Sequence, residues 1–181
     1  MSFEVINQSI PDVLLIKPRV FADERGYFKE SYNLKDFETF LPGVKFVQDN
    51  ESKSTRGVLR GLHFQKPPHA QAKLIRVIQG SIWDVAVDIR PDSPTFKQYC
   101  FAELTADNHF QFFVPRGFAH AFLVTSGTAI VQYKTDNFYE ATADGGIHPH
   151  DPGLNIPWPL PFEEHLLSEK DKLLPVCSNI L

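Results

Sequence analysis

Two stretches, Arg-Gly-Leu-His-Phe-Gln at residues 60–65 and Ala-Lys-Leu-Ile-Arg-Val at residues 72–77, decide the expected fold. Both are short and contain large apolar residues, and a Pro-Pro loop separates them, which predicts two β-strands. Successive side chains of a strand point to opposite faces, so His63 and Gln65 share one face. A polar imidazole and amide on an inner face cost free energy unless they have partners or a use. Lys73, early in the second strand, reaches the same interior, and we therefore predict a reaction chamber with His63 as its base.

The rest of the chain repeats short strand patterns separated by turns, with no long helical pattern between them. This arrangement predicts a sandwich or barrel rather than a parallel doubly wound sheet. The predicted strands are 13–16, 27–32, 46–50, 60–65, 74–77, 81–89, 97–104, 110–114, 119–124 and 129–134. The other predicted elements are a helix at 34–41 capped by Asn33, a polar loop at 51–55, and a Pro- and Gly-rich tail after Tyr139 that returns through a short helix at 167–171.

Composition limits the class of protein. At 181 residues with 16 Phe, the chain is expected to form one domain over residues 1–181 with an aromatic core. A net charge of −4 gives no general attraction to nucleic acid or anionic membranes. No apolar run reaches membrane-spanning length, and no signal segment opens the chain. Cys100 and Cys177 fit no metal or redox spacing, so we expect two free thiols and a cytoplasmic location.

Six blocks of sequence, in order along the chain, carry a resemblance to a known family. They are residues 60–65, 84–90, 93–96, 117–120, 133–134 and 167–171. Together they resemble the dTDP-4-dehydrorhamnose 3,5-epimerases over nearly the whole chain, and Pro115 to His120 also matches the second cupin motif, Pro-x-Gly-x-x-His. The resemblance implies an all-β double-stranded β-helix, or jelly-roll (cupin) barrel, with short peripheral helices. It also implies a homodimer and a reaction that needs no metal or other cofactor.

The reaction of that family is epimerisation at C3 and C5 of dTDP-4-dehydro-6-deoxy-D-glucose, which gives dTDP-4-dehydro-L-rhamnose. The C4 ketone acidifies the protons on both carbons, because either carbanion delocalises into it as an enolate. Such chemistry needs a base on one face of the ring, an acid on the other, and a donor at the enolate oxygen. The unperturbed pKa of an imidazole is near neutrality, so a histidine such as His63 suits the base. The resemblance assigns Asp171 to orient it, Tyr133 to act as the acid, and Lys73 to bind the enolate oxygen.

Three expectations concern charge inside the chamber. A phenol loses its proton at about pH 10, and a cation such as Lys73 is expected to lower the pKa of Tyr133. Asp84 is a candidate to neutralise Lys73. His120 suggests a metal site because cupins often bind metal through histidines, but a buried lysine repels a divalent cation and two neutral ligands are too few. His120 is therefore assigned to substrate binding or to support of the site.

The nucleotide is expected to be held by fixed donors. Arg25 and Arg60 suit the diphosphate, because guanidinium groups make paired hydrogen bonds to phosphate. Strand alternation puts Arg60 on the face opposite His63 unless Gly61 marks a bulge. By resemblance Tyr139 stacks on the thymine, and Asp144 stands where the family usually has Glu. The predicted substrate-binding residues are Arg25, Glu30, Gln48, Asp49, Asn50, Arg60, Lys73, His120, Tyr139, Asp144 and Lys170.

Three alternative functions stay open at this point. A single-carbon epimerase acting at C3 or C5 of another dTDP-4-keto-deoxysugar would exchange one ring proton only. A metal-dependent cupin oxygenase would lose its activity to a chelator. A non-catalytic sugar-nucleotide-binding cupin would bind dTDP tightly and exchange nothing.

Overall fold

A computed structural model describes residues 2–179 and consists mainly of β-sheet. The strands are β1 (Phe3–Asn7), β2 (Leu14–Pro18), β3 (Val20–Asp23), β4 (Gly26–Lys29), β5 (Gln48–Thr55), β6 (Leu59–Gln65), β7 (Lys73–Gln79), β8 (Ser81–Asp88), β9 (Tyr99–Thr105), β10 (Gln111–Val114), β11 (Phe118–Val124), β12 (Thr128–Thr135) and β13 (Asp144–Gly146). The α-helices are α1 (Leu34–Phe37) and α2 (Glu169–Lys172), and 3₁₀ turns lie at Ala141–Ala143, Phe162–Glu164 and Cys177–Asn179. No helix in the described range is long and apolar enough to span a membrane.

The strands form two large antiparallel sheets and a separate hairpin. The first sheet has the order β1-β2-β10-β7-β12-β5 and the second has the order β13-β6-β11-β8-β9. Many neighbours in each sheet are distant in sequence, so the chain crosses repeatedly between the sheets, as in a jelly roll. The hairpin of β3 and β4 turns at Gly26, whose φ of 127° favours glycine. The predicted all-β jelly-roll fold is confirmed.

Three apolar clusters hold these layers together. The largest lies between the two sheets and contains Phe112 of the first sheet and Phe118 of the second. A second cluster covers the outer face of the five-stranded sheet, where Leu154 of the tail belongs to the same cluster as Leu62. A third covers the outer face of the six-stranded sheet and includes Phe37 of α1. Polar side chains on the inner faces therefore face a mainly apolar layer, and these are the candidates for function.

Several predicted elements differ from the structure. Residues 51–55, predicted as a loop, extend β5, because they pair with β12 along an edge strand whose exposed polar residues resemble a loop in sequence. The predicted helix at 34–41 is α-helical only to Phe37, although Asn33 caps it as expected. Gly145 and Gly146 belong to β13, which pairs with β6 and was predicted as part of an irregular tail. Of the predicted strand at 27–32, only residues 27–29 lie in a strand, because β4 ends at Lys29.

Candidate active site

A bulge in β6 turns Arg60 and His63 to the same face of the strand. Phe122 pairs with Arg60 and His120 pairs with His63, so β6 has one residue more than β11 between these two pairs. Gly61 lies in the bulge with a φ of 120°, and a Cβ there would lie 2.5 Å from the backbone oxygen of His120. The glycine is therefore required for the bulge. The alternative left open by strand alternation is resolved, and Arg60 shares the face of His63.

This face of β6 contributes to a cavity of about 200 Å³. His63 reaches the cavity from the five-stranded sheet, whereas Tyr133 of β12 and Lys73 of β7 reach it from the six-stranded sheet. The two candidate proton-transfer groups, His63 and Tyr133, therefore lie on opposite walls of one cavity. Gln48 and Asn50 of β5 also line it, as predicted for substrate-binding residues.

His63 is held by a carboxylate from the far end of the chain. Its Nε2 lies 2.6 Å from Oδ1 of Asp171 in the first turn of α2. Ser168 caps this helix by accepting a hydrogen bond from the Asp171 N–H at 3.1 Å. Burial would raise the pKa of the Asp171 carboxyl, but hydrogen bonding to His63 lowers it below its usual value. Asp171 thus stays ionised, fixes the imidazole, and leaves Nδ1 of His63 for the cavity.

Lys73 is a half-buried amine whose proton is weakly held. Burial lowers the pKa of Lys73 to about 8, although the charges of Asp84 and Asp144 oppose that shift. The hydrogen-bonded partner of Asp84 is not Lys73 but His120, with Oδ1 and Nε2 at 2.5 Å. Burial also lowers the pKa of His120, so its neutral ring donates to Asp84. The expected neutralisation of Lys73 by Asp84 is therefore indirect, through charge rather than contact.

Tyr133 keeps its proton more firmly than the sequence suggested. Burial raises the pKa of the phenol, and the cation that opposes this shift is Arg60, not Lys73. The expected net lowering of the Tyr133 pKa is therefore wrong, because desolvation of the phenolate outweighs the charge of Arg60. Arg60 itself donates from Nε to the hydroxyl of Ser54 at 3.1 Å. A protonated phenol at neutral pH is what a proton donor requires.

The tail supplies a further wall of the cavity. Tyr139, Asp144 and Lys170 all line it. Asp144 of β13 pairs with Gln65 of β6 and forms an ion pair with Lys170. Hydrogen bonding to Asp144 raises the pKa of Lys170. The structure thus brings these three predicted residues together beside His63, and their contacts with substrate stay predictions.

Arg25 and Glu30 do not line this cavity within their own subunit. Arg25 is exposed near the tip of the β3–β4 hairpin, where its guanidinium pairs with Asp23 at 2.5 Å. Glu30 follows the hairpin and accepts a hydrogen bond from Nδ2 of Asn33 at 3.2 Å. Within one chain, these two predicted contacts are therefore separated from the residues that line the cavity.

Asp49 lies on the opposite face of the six-stranded sheet from the cavity. Its neighbours Gln48 and Asn50 line the cavity, and strand alternation turns Asp49 the other way. There its carboxylate pairs with Nζ of Lys134 at 2.8 Å. A run of three predicted contacts is thus divided between two faces, and a contact of Asp49 with substrate stays a prediction.

Three residues line the cavity that were not among the predicted site residues: Phe64, Gln65 and Gln71. Strand alternation with His63 had placed Gln65 on the correct face, so a signal for it existed. Phe64 was expected to face away from the chamber. Gln71 lies in the loop between β6 and β7 and donates from Nε2 to the Asn137 carbonyl at 2.8 Å. No sequence pattern marks this loop residue.

The histidine and carboxylate side chains at the site bear on whether it could bind a metal ion. His63 and His120 are cross-strand neighbours, and each is hydrogen-bonded to its own carboxylate. Among residues 2–179, no group of three or more His, Cys, Asp or Glu side chains is placed to hold a metal ion. Catalysis without a metal stays a prediction, and a chelator remains its test.

Comparison with known proteins identifies related chains. A family model described as dTDP-4-dehydrorhamnose 3,5-epimerase matches residues 7–179. The dTDP-4-dehydrorhamnose 3,5-epimerase of Shigella flexneri is 52% identical over 168 residues, which cover 92% of each chain. A crystal structure of the enzyme of that name from Elizabethkingia anophelis has a TM-score of 0.94 at 49% identity and covers 99% of each chain. A dTDP-6-deoxy-D-glucose-3,5-epimerase from Legionella pneumophila, solved in complex with dTDP-4-keto-L-rhamnose, has a TM-score of 0.95 at 43% identity and covers 99% of this chain and 95% of that one.

Proposed function

The chain belongs to the dTDP-4-dehydrorhamnose 3,5-epimerase family, and we infer that it catalyses the epimerisation of dTDP-4-dehydro-6-deoxy-D-glucose at C3 and C5 to dTDP-4-dehydro-L-rhamnose. The observation that carries this function is the placement of His63 and Tyr133 on opposite walls of one cavity. A base and an acid that flank a sugar ring invert a carbon by removing its proton on one face and adding a proton on the other.

Each residue of the site has a separate role in the proposed reaction. Nδ1 of His63 takes the proton from C3 or C5, and the electrons of that C–H bond move toward the C4 oxygen. The ammonium group of Lys73 stabilises the enolate. Tyr133 returns a proton to the same carbon from the other face, and Asp171 holds the imidazolium that forms. One carbonyl serves both carbons in turn, and a single set of groups acts twice once His63 has lost its proton to solvent and Tyr133 has regained one from solvent.

The direct test is to incubate the protein with the 4-keto sugar nucleotide in D2O and follow the ring protons by NMR. We expect deuterium to enter at both C3 and C5. Exchange at one carbon would indicate a single-carbon epimerase, and dTDP binding without exchange would indicate a binding protein. Activity that disappears with a chelator and returns with added metal would favour the oxygenase alternative.

The protonation state of the Lys73 amine predicts how the reaction rate depends on pH. Because the ammonium form is present below a pKa of about 8, kcat/KM should fall as the pH rises through that value. Above it the decrease should approach about tenfold per pH unit. The Lys73→Arg variant keeps its charge at high pH and should lose this alkaline limb, whatever its absolute rate. A wild-type profile that stays flat to about pH 9.5 would contradict the role of Lys73.

We also propose that the protein is a homodimer in which the β3–β4 hairpin of one subunit reaches the cavity of the other. The positions of Arg25 and Glu30, outside the cavity of their own subunit, support this proposal. The hairpin presents Phe21, Tyr27 and Phe28 with more than half of each exposed. An aromatic patch of this kind on a projecting hairpin is typical of an interface.

Mixed dimers test this arrangement. A His63→Ala subunit combined with an Arg25→Ala subunit leaves one intact site per mixed dimer only if each site takes its hairpin from the partner. Random mixing of equal amounts should then restore about a quarter of wild-type activity. The separate variants, incubated without exchange of subunits, are the control. Activity no higher than the sum of the two variants would show that Arg25 acts within its own subunit or not at all.

We further propose that the protein works in the cytoplasm. Both cysteines, Cys100 and Cys177, are free and buried, as expected for a reducing compartment. Fractionation of the source cells with an antibody against the protein is the corresponding measurement.

A further inference from the structure

Gln65 lines the cavity and carries a buried amide nitrogen that has no hydrogen-bond partner. The side chain lines the cavity beside His63 and is only 7% exposed. Its Nε2 is buried and makes no hydrogen bond. An amide nitrogen carries two donors, and leaving both unpaired inside a protein costs free energy. A ligand oxygen in the cavity is a partner that would remove this cost.

The orientation of this amide is set by the backbone. Oε1 of Gln65 accepts a hydrogen bond from the N–H of Glu140 at 2.8 Å. Only the oxygen of an amide accepts, so this bond settles which end of the side chain is which. The nitrogen therefore occupies the other end of the group. Glu140 follows Tyr139, which lines the cavity, so the same bond ties the tail to β6.

The surroundings of Gln65 indicate which part of a substrate it meets. Gln65 lies two residues beyond His63 on the same face of β6, about 7 Å along the strand. It pairs across the strands with Asp144, whose charge acts on Lys73. Gln65 and Lys73 both line the cavity, and Lys73 is the group proposed to bind the C4 oxygen.

We propose that Gln65 is a catalytic residue of the epimerisation, and that its Nε2–H donates a hydrogen bond to the C4 oxygen of the substrate alongside Lys73. The inference rests on the proposed function. The bond strengthens when His63 removes the ring proton and the C–H electron pair becomes a C=C bond, because the C4 oxygen then carries negative charge. Gln65 gives up no proton. A neutral amide cannot protonate the oxygen, so the enolate stays available for protonation at carbon by Tyr133.

Two variants separate this role from a structural one. Gln65→Glu keeps an oxygen for the Glu140 N–H but replaces the amide donor, and Gln65→Met keeps the length of the side chain without either function. We expect kcat to fall about 10²-fold in both, with KM nearly unchanged, because the bond is strongest after the proton is removed. Deuterium entry at C3 and at C5 should slow by the same factor, since both enolates place their charge on the one C4 oxygen.

The matched control is Gln111→Met. Gln111 is 1% exposed and donates to the Ser31 carbonyl on the outer face of the six-stranded sheet, so it has the same burial without a place in the cavity. The Gln111→Met variant should melt at a lower temperature than the wild type and keep the wild-type kcat. If Gln65→Met does not fold, Gln65→Glu decides, because it retains the bond to Glu140.

The outcomes are distinct for the two proposals. A wild type that exchanges both protons, together with Gln65 variants of unchanged kcat, would overturn the role of Gln65 alone. A rise in KM without a fall in kcat, or slower exchange at one carbon only, would place the amide on another oxygen and overturn it as well. A wild type that exchanges neither proton would overturn the proposed function together with this inference.

Discussion

A His63→Ala variant should exchange deuterium at both C3 and C5 about 10²- to 10⁴-fold more slowly than the wild type. The imidazole is the base in the proposed reaction, and its removal leaves the Asp171 carboxylate without the group that it orients. Both carbons should be affected equally, because one base serves both. Rates of deuterium entry by NMR under single-turnover conditions measure this loss without interference from product release.

The control for this variant is His69→Ala. His69 lies in the loop after β6 and does not line the cavity, so its removal tests the loss of an imidazole near the site. Exchange should stay at the wild-type rate in this control. Normal exchange in His63→Ala, with the protein folded, would show that another group removes the ring protons.

A Tyr133→Phe variant should separate exchange from inversion. Without the hydroxyl, His63 still removes a proton and returns a deuteron to the same face, so label enters while the configuration is retained. Formation of the inverted product should fall about 10²- to 10⁴-fold, whereas deuterium entry falls far less. The ratio of label to inverted product, read from one NMR time course, is the quantity to measure. The raised pKa of the buried phenol is consistent with a group that donates its proton rather than accepts one.

Tyr99→Phe is the control for loss of a phenol. The hydroxyl of Tyr99 lies 3.4 Å from the Asn155 carbonyl on the outer side of the five-stranded sheet, away from the cavity. Label and inversion should both remain at wild-type rates there. If Tyr133→Phe loses exchange and inversion in equal measure, the two groups do not act on opposite faces as proposed. Inversion at the wild-type rate would exclude Tyr133 as the acid.

Strand alternation predicted much of the site, and it failed where the strands depart from regular pairing. The faces of His63 and Leu62 followed from a period of two residues, and the structure agrees. The face of Arg60 did not follow, because the extra residue of a bulge reverses alternation and depends on contact with β11. Asp49 is a different case, because regular alternation along β5 turns it away from the cavity, whereas the family resemblance predicted a contact with substrate.

Other features depend on contacts between segments that are distant in sequence. The orientation of Gln65 is set by a backbone N–H 75 residues later. In the tail, Nε2 of His150 lies 2.8 Å from Nδ1 of His165, and the His150 ring stacks on Phe162 with centroids 4.2 Å apart. No pattern in the neighbouring sequence predicts these contacts. The balance between burial and charge at Tyr133 was likewise a property of the folded interior, where desolvation outweighs a nearby cation.

The most direct measurement is a crystal structure with a dTDP-linked 6-deoxy sugar that lacks the C4 ketone and so cannot react. We expect the ring to lie between Nδ1 of His63 and the hydroxyl of Tyr133, which approach it from opposite faces, with Lys73 at C4. A ring that meets both groups on the same face would contradict it. So would a metal ion bound jointly by His63 and His120.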